Sequence, residues 1–365
     1  MDPVLFVATL VKIAVVMFAI LNLGGLMTWV ERKQSAVMQD RVGANRASIR
    51  VFGREIRALG LLHGIADGVK MILKEDFVPA GANRFLHALA PYLALIPALV
   101  VLAVIPFGPP IEIAGRTIPL QIAELDVGIL FIFAIAGAGI YSAILGGWAS
   151  NNKYSLLGAL RASNQLIAYE IALGFSLVGV FMYYGTPSLA KMIELQGGMA
   201  FGFLPAWGIF FQPVAFILFF TAALAETKRV PFDVPEGESE IIGYSTEYSG
   251  MKFGIFLMAE FIETVILAAV AAVIFFGGWQ FPWLQDQGFL FPGGFEVAVA
   301  PWLVFLLRIF AFAAKVVIGI WLLMTIRWTM PRFRYDQVMA LGWKGLLPLA
   351  IANTFLTGLF ILLFQ

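Results

Sequence analysis

The sequence predicts an all-α membrane protein with about eight transmembrane helices and with amphipathic helices in its first long connection. Of the 365 residues, 61% are hydrophobic and only 13% are charged, whereas soluble domains are nearer half apolar and a quarter charged. Eight apolar runs are long enough, at roughly 20 residues each, to cross about 30 Å of hydrocarbon. We expect residues 1–365 to form a single polytopic membrane domain. The runs fall at 3–30, 86–106, 127–149, 164–185, 204–225, 251–277, 300–325 and 343–364.

The composition also excludes several functions. The net charge of +1 gives no reason to expect a nucleic acid partner. The chain has no cysteine, and hence no disulfide, no thiolate ligand for an iron–sulfur cluster and no thiol nucleophile. Neither a Walker-type phosphate loop nor a GxGxxG turn after a strand is present, so nucleotide binding is not expected. We therefore predict no catalytic residue, no metal ligand and no bound cofactor in this chain alone.

The basic residues are distributed unevenly between the two sets of connections. Segments 31–85, 150–163, 226–250 and 326–342 carry 17 of the 24 Lys and Arg residues, whereas 107–126, 186–203 and 278–299 carry only two. Because basic loops stay in the cytoplasm, the pattern predicts the first set inside. A multi-pass protein with both termini on the outer, periplasmic side follows from this assignment.

The first connection, 31–85, is too long to be a simple loop. It contains an apolar stripe at helical spacing, which is typical of an amphipathic helix lying at the membrane surface or on a partner. The segment has ten bases and six acids, so we expect it to face the acidic loop described next. The stripe is formed by Leu62, Ile65, Val69, Ile72 and Leu73, opposite Asp67, Lys70 and Lys74.

The connection 226–250 is the most unusual part of the sequence, because it crowds carboxylates beside hydrocarbon. Its bases are only Lys228 and Arg229. Ionised groups are costly near hydrocarbon and tend to mark proton or ion handling. Its acids are Glu226, Asp233, Glu236, Glu238, Glu240 and Glu247.

Six ionisable residues fall inside the apolar runs. Glu260 and Glu263 are three residues apart and share a helix face, and two carboxylates so close do not both ionise cheaply in a low dielectric, as a proton relay requires. By the rise per residue, Lys315 would lie level with them, and Glu170 would lie roughly 10 Å inside its span. The simpler hypothesis is that a buried pair such as Glu263–Lys315 fixes the helix register. The six residues are Lys12, Glu170, Glu260, Glu263, Arg308 and Lys315.

A series of short motifs resembles a known family, the H subunit of bacterial respiratory complex I, which is homologous to mitochondrial NADH dehydrogenase subunit one. The resemblance runs from about residue 30 to the end of the chain. Its most specific parts are AETKRVPFD at 225–233 and EYSGMKF at 247–253. The other parts are ERK at 31–33, RVGAN at 41–45, ADGVK at 66–70, KE at 74–75, AP at 90–91, LR at 160–161, Gln165, YE at 169–170 and RWTMPRFRYD at 327–336.

The resemblance implies three groups of functional residues. The implied quinone chamber contains Glu31, Arg32, Arg41, Asp67 and Lys70. The implied coupling loop contains Asp233, Glu236, Glu238 and Glu240, to which we add Arg229 and Glu247 by position. The implied proton path contains Glu124, Glu170 and Glu226, to which we add Glu260, Glu263 and Lys315 because they are ionisable groups inside spans.

The resemblance also implies the surroundings of the chain. Quinone would be the substrate, while NAD, FMN and iron–sulfur clusters would belong to partner subunits. The expected partners are the peripheral-arm subunits of the quinone site, the small membrane-arm subunits and membrane lipids. The expected location is the bacterial inner membrane.

The sequence departs from the family pattern at a few positions. His63 stands where glutamine is common, Ala44 where proline is usual, and Lys228 where asparagine is frequent. His63 and His87 are the only histidines in the chain, and we expect both to lie at the surface or near lipid headgroups. A further set of basic residues is expected to anchor the seventh span and to contact partner subunits or lipid headgroups. This set is Arg327, Arg332 and Arg334.

Two other functions remain open at this stage. The chain could be the equivalent subunit of a membrane-bound hydrogenase or of another lipid-carrier reductase. Alternatively, it could be a standalone ion-coupled carrier that uses a Glu260/Glu263–Lys315 cluster. The long basic first connection argues for a permanent partner and so against the carrier.

Overall fold

Helices make up most of the regular structure. The computed structural model describes residues 3–113, 115–200, 203–237, 241, 243–292 and 295–364. The helices are α1 (Pro3–Met38), α2 (Leu62–Leu73), α3 (Arg84–Val101), α4 (Gly128–Ala138), α5 (Ile140–Ala149), α6 (Lys153–Tyr184), α7 (Leu189–Leu195), α8 (Gly208–Phe211), α9 (Pro213–Glu226), α10 (Gly250–Phe275), α11 (Pro301–Thr329), α12 (Tyr335–Ala340) and α13 (Leu347–Phe364). A π-helical segment, Leu341–Leu346, joins the last two. Single 3-10 turns occur at Ala58–Gly60, Leu102–Val104 and Ser245–Glu247.

The strands form short antiparallel hairpins in the connections between helices. The first pairs β1 (Ile49–Val51) with β2 (Arg54–Ile56), and the second pairs β3 (Ile111–Ile113) with β4 (Arg116–Ile118). A third pairs β5 (Met199–Ala200) with β6 (Leu204–Pro205). The last is a three-stranded meander of β7 (Leu284–Gln285), β8 (Gly288–Phe291) and β9 (Phe295–Ala298).

The predicted membrane class is confirmed. Seven helical stretches in the described residues are long and apolar enough to cross a membrane, with α4 and α5 forming one stretch and α12 to α13 forming the last. The run 204–225 differs from the others, because only the 14 residues of α9 form a continuous helix there. Pro213 begins this helix, at a position where its missing N–H costs no hydrogen bond. At 1.5 Å per residue α9 is only about 21 Å long.

Several helices extend well beyond their apolar runs. Helix α6 begins at Lys153 rather than at 164, and the side chain of Asn152 caps it by accepting a hydrogen bond from the N–H of Tyr154 at 3.0 Å. Measured from this start, Glu170 lies about 25 Å along the helix rather than the expected 10 Å. The polar residues of the first turns hid the true start from a hydropathy argument.

The bundle is organised around α6 and α10. Helix α6 packs against α5, α9 and α13, while α10 packs against α3, α11 and α1. Alanine and glycine fill many of these contacts, as is usual where membrane helices approach closely. Helices α1 and α13 have mostly exposed apolar side chains, as expected of surfaces that meet lipid or other subunits.

The connections fall at two ends of the bundle. One end, here called the charged end, carries the described residues of 31–85, 226–250 and 326–334, which contact one another through ion pairs. The expected contact between the first connection and the acidic region is made by Arg229 with Glu31 and by Lys252 with Asp76. The opposite end carries the hairpins β3–β4 and β7–β9.

Lys315 secures the opposite end of α10. Its ammonium donates hydrogen bonds to the carbonyls of Phe276, Gly278 and Gln280 at 2.6, 2.9 and 2.5 Å. The same ammonium lies 4.4 Å from the centre of the Trp207 ring. These carbonyls follow the C-terminal end of α10, where a cation also favours the helix dipole. Lys315 thus fastens α11 to α10.

We expect Lys315→Met to destabilise the protein. The substitution leaves three carbonyls without their charged donor, at a cost of about 2 kcal/mol. The melting temperature of the purified assembly should fall by several degrees, as measured by differential scanning fluorimetry. Lys344→Met, which removes an exposed lysine, is the matched control. An unchanged melting temperature for Lys315→Met would show that the three contacts add nothing to stability.

Candidate functional site

A buried charge cluster lies at the charged end, with Arg229 at its centre. The guanidinium of Arg229 donates to Oε2 of Glu31 on α1 and to Oε2 of Glu260 on α10, both at 3.2 Å. Its planar group also lies 4.4 Å from the Phe261 ring centre. Arg327 on α11 pairs with the second oxygen of Glu31. The side chains of Arg229, Glu31 and Glu260 are only 12, 14 and 15% exposed, so the cluster joins three helices and a loop in a low-dielectric setting.

The turn after α9 delivers Arg229 into this cluster. Lys228 adopts a left-handed conformation with φ of 54°, which reverses the chain directly after the helix. The amide of Gln165 on α6 donates to the carbonyls of Ala225 and Phe232, at 2.8 and 2.9 Å. One buried amide therefore holds both ends of the turn against α6.

Lys228 is a second buried cation in the same turn. Its side chain is 8% exposed, and its ammonium lies 3.8 Å from Oε2 of Glu263. Burial alone lowers the pKa of Lys228, but Glu263, Glu260 and Glu226 outweigh burial and raise the pKa above its ordinary value. Lys228 therefore remains a cation facing the carboxylates of α10 and α9.

Glu170, Glu226 and Glu263 line one small cavity between α3, α4, α6, α9 and α10. Its volume is about 60 Å³, enough for about two waters at roughly 30 Å³ each. Oε2 of Glu226 is buried, and no described residue hydrogen-bonds to it. A Cβ added at Gly137 would come within 2.9 Å of Oε1 of Glu170. The glycine thus lets the α4 backbone approach this carboxylate closely.

The acidic loop itself is fastened by polar contacts. Asp233 accepts a hydrogen bond from Arg332 at 2.6 Å and is 15% exposed. Glu236 accepts one from the Ser245 hydroxyl at 2.5 Å, and Glu247 accepts one from the Asn152 amide at 2.6 Å. Glu238 and Glu240, also predicted for this loop, lie outside the described residues.

The predicted chamber residues gather where α1 meets α2, with one exception. Asp67 pairs with Arg32 at 2.6 Å and with Lys70 of its own helix at 3.8 Å. Glu31 precedes Arg32 and belongs to the buried cluster. Arg41 is exposed in the following loop, where its Nε donates to Gln39 at 2.7 Å.

Two predicted members of the proton path lie elsewhere. The expected approach of Lys315 to Glu260 and Glu263 is wrong, because its ammonium is bound to carbonyls at residues 276–280, about 20 Å along α10 from Glu263. Arg327, not Lys315, is the residue of α11 that reaches the level of Glu260. The carrier cluster built on Lys315 is therefore absent from the described residues. Glu124 is exposed at the opposite end, beyond α3.

Sequence reasoning missed several contacts of this region. Arg327 and Arg332, expected to anchor a span and meet partners or lipid, pair instead with Glu31 and Asp233 of this chain. The expectation that His87 lies at the surface is wrong, because it is fully buried and stacks on Tyr248 with ring centres 4.0 Å apart. Acid and base counts alone cannot identify such pairs, since the partners come from distant helices.

The described residues contain no group of three or more His, Cys, Asp or Glu side chains arranged to hold a metal ion. Fold and site together define a polytopic all-α membrane protein with a buried network of charges at one end. Comparison with known proteins specifies this class further.

The family model described as NADH dehydrogenase matches residues 11–358. The first of two NADH-quinone oxidoreductase H subunits from Cytophaga hutchinsonii is 44% identical over 338 residues, covering 92% of each chain. Its namesake from Geobacter metallireducens is 43% identical over 355 residues, covering 97% of this chain and 96% of the relative. The H subunit from Flavobacterium psychrophilum is 43% identical over 366 residues, covering 98% and 99%. The chain belongs to the family of NADH-quinone oxidoreductase H subunits, and is thus part of a membrane-bound enzyme.

We expect Asp233 to titrate close to neutral pH. Burial raises the pKa of Asp233 to about 6, although Arg332 opposes the shift. The folded protein therefore binds this proton at a higher pH than the unfolded chain does, and the contribution of Asp233 to the free energy of unfolding increases as pH falls through about 6. Infrared titration of the purified assembly should show a carboxyl C=O band with that midpoint.

The band should be missing from Asp233→Asn. Asp336→Asn is the matched control, because Asp336 also pairs with an arginine but is 66% exposed. A midpoint near about pH 4, the ordinary range of aspartate, would contradict the assignment.

Proposed function

We propose that this chain is the membrane subunit of a proton-pumping NADH:quinone oxidoreductase that helps form the quinone-access chamber and couples quinone reduction to proton translocation. The observation that carries the proposal is the bridge made by Arg229 between Glu31 and Glu260. On one side of this bridge lie the residues assigned to the chamber. On the other lies the cavity of Glu170, Glu226 and Glu263.

The proposed chamber lies between α1, α2 and α10. Helix α2 has no buried residue, and it contacts both of the other helices. Its apolar face includes Ile65, Val69 and Ile72, which are 66, 49 and 67% exposed. A quinone has an isoprenoid tail and a polar head, so it fits an opening with apolar walls and charges at its inner end. Arg32, Asp67 and Lys70 supply those charges, with Arg41 in the neighbouring loop.

The proposed coupling is electrostatic. Reduction of a quinone to a quinol takes up two protons as well as two electrons, which leaves the groups near the headgroup with an altered charge. A change at Glu31 or in the 226–250 loop acts on Arg229 and Lys228, whose attraction for Glu260 and Glu263 is strong in a low dielectric. The balance of protons among Glu263, Glu226 and Glu170 then shifts. We leave Lys315 out of this path because of its position.

The electrons are proposed to come from partner subunits. With no cysteine in this chain, iron–sulfur clusters together with FMN and the NADH site are assigned to the peripheral arm. That arm would bind the charged end of the bundle, and the small membrane-arm subunits would flank the helices. The distribution of basic residues favours a cytoplasmic charged end and periplasmic termini in a bacterial inner membrane.

We expect Glu226→Gln and Glu170→Gln to abolish coupled turnover while the complex still assembles. Glutamine keeps the size and polarity of the side chain but cannot carry the proton. NADH-driven proton pumping in reconstituted vesicles should fall to about a tenth or less of the wild-type rate, since loss of a proton-transferring group typically costs a hundredfold or more.

Glu112→Gln, which alters an exposed carboxylate on β3, should pump normally. Assembly is checked by native gel electrophoresis and by subunit content. An assembled Glu226→Gln complex that pumps at the wild-type rate would refute the proposed path.

A further inference from the structure

His63 holds a loop by accepting two hydrogen bonds on one nitrogen. Its Nε2 receives the backbone N–H of Arg46 at 3.0 Å and that of Ala47 at 3.1 Å. Both partners are backbone donors, which cannot accept a proton in return. Nε2 must therefore be unprotonated, and the neutral ring carries its hydrogen on Nδ1.

The loop held in this way, Gly43–Ala47, lies in the angle between the end of α1 and the start of α2. Gly43 packs against the Arg32 carbonyl and the Lys33 side chain of α1, and the carbonyl of Ala44 lies against Gly60. Trp29 of α1 also donates to the carbonyl of Leu59 at 3.1 Å, next to that point. The loop therefore borders the place where α1 and α2 form the proposed chamber.

We propose that His63 is a positioning residue whose hydrogen bonds to the Gly43–Ala47 loop exist only while its ring is neutral, so that protonation releases the mouth of the quinone chamber. The functional half of this inference rests on the proposed function above. A proton on Nε2 would point at two N–H donors, and neither could accept it. Both hydrogen bonds are then lost together, and the loop moves away from the ring.

The surrounding charges offer no alternative arrangement for a protonated ring. Asp67, one turn further along α2, is already paired with Arg32 at 2.6 Å. The other charged side chains on the elements around His63 are cations. They are Lys33 of α1, Lys70 of α2, Arg46 of the loop and Arg57 before the 3-10 turn.

Imidazole is the side chain that changes charge near neutral pH, so the device would work in a physiological range. A loosened chamber mouth changes how easily quinone is admitted or released. It does not remove any group that transfers protons along α6, α9 and α10. The expected consequence is an altered KM for quinone, with less effect on kcat.

Glutamine is the matched control for this inference. The amide oxygen of His63→Gln can accept the same two N–H groups but cannot be protonated near neutral pH. His63→Ala removes the acceptor at every pH. Loss of the contact and loss of its pH dependence are thus separable in two variants.

The direct test is hydrogen–deuterium exchange of the assembled complex between about pH 5 and pH 8, followed by mass spectrometry of peptides containing Arg46 and Ala47. Rates are corrected for intrinsic exchange by reference to α6 peptides. In the wild type, acidification should increase exchange of this segment about tenfold, as expected for losing a hydrogen bond. His63→Gln should show no such step, and His63→Ala should exchange rapidly throughout. An identical pH dependence in wild type and His63→Gln would overturn the proposal.

The KM for a short-chain quinone is measured over the same pH range. It should rise on acidification in the wild type and stay constant in His63→Gln. If the exchange step is present while KM does not respond, the His63 contact stands and the assignment of the chamber to α1 and α2 fails.

Discussion

The structure depends on the way Arg229 is held between two buried carboxylates. Glu31 and Glu260 come from α1 and α10, and each is at most 15% exposed. Without the guanidinium, two negative charges would remain where water cannot solvate them, and breaking a buried pair in this way typically costs about 3–5 kcal/mol. The positions of α1, α10 and the turn after α9 are thereby linked, and Arg327 adds α11 to the same link.

The cavity beside this cluster has the opposite balance of charge. Three carboxylates line it, and the nearest buried cation is Lys228. One cation cannot neutralise three ionised acids in a low dielectric, so protons must be shared among them. A small change in the field at Arg229 or Lys228 is then enough to move a proton. This makes the charged end a suitable place for a redox event to act on protons at a distance.

Hydropathy and charge identified much of the architecture but not the contacts. The apolar runs located the seven long spans, because length and composition are local properties. The start of α6 was missed, since its polar first turns continue the helix outside the apolar run. Lys315 was matched to the wrong level of α10 for a related reason: the ends of apolar runs are not the ends of helices. His87 was misjudged because its burial depends on Tyr248, a residue from a distant loop. The acidic loop was recognised, but its partner Arg332 comes from a segment about a hundred residues away.

The central claim is that quinone reduction changes the protonation of the buried carboxylates through the Arg229 cluster. Redox-induced infrared difference spectroscopy of the assembled complex tests it most directly. Quinol formation should produce a carboxyl C=O difference band in the wild type, and Glu226→Gln should lose part or all of that band. A difference spectrum that is identical in the two proteins in the carboxyl region would contradict the account.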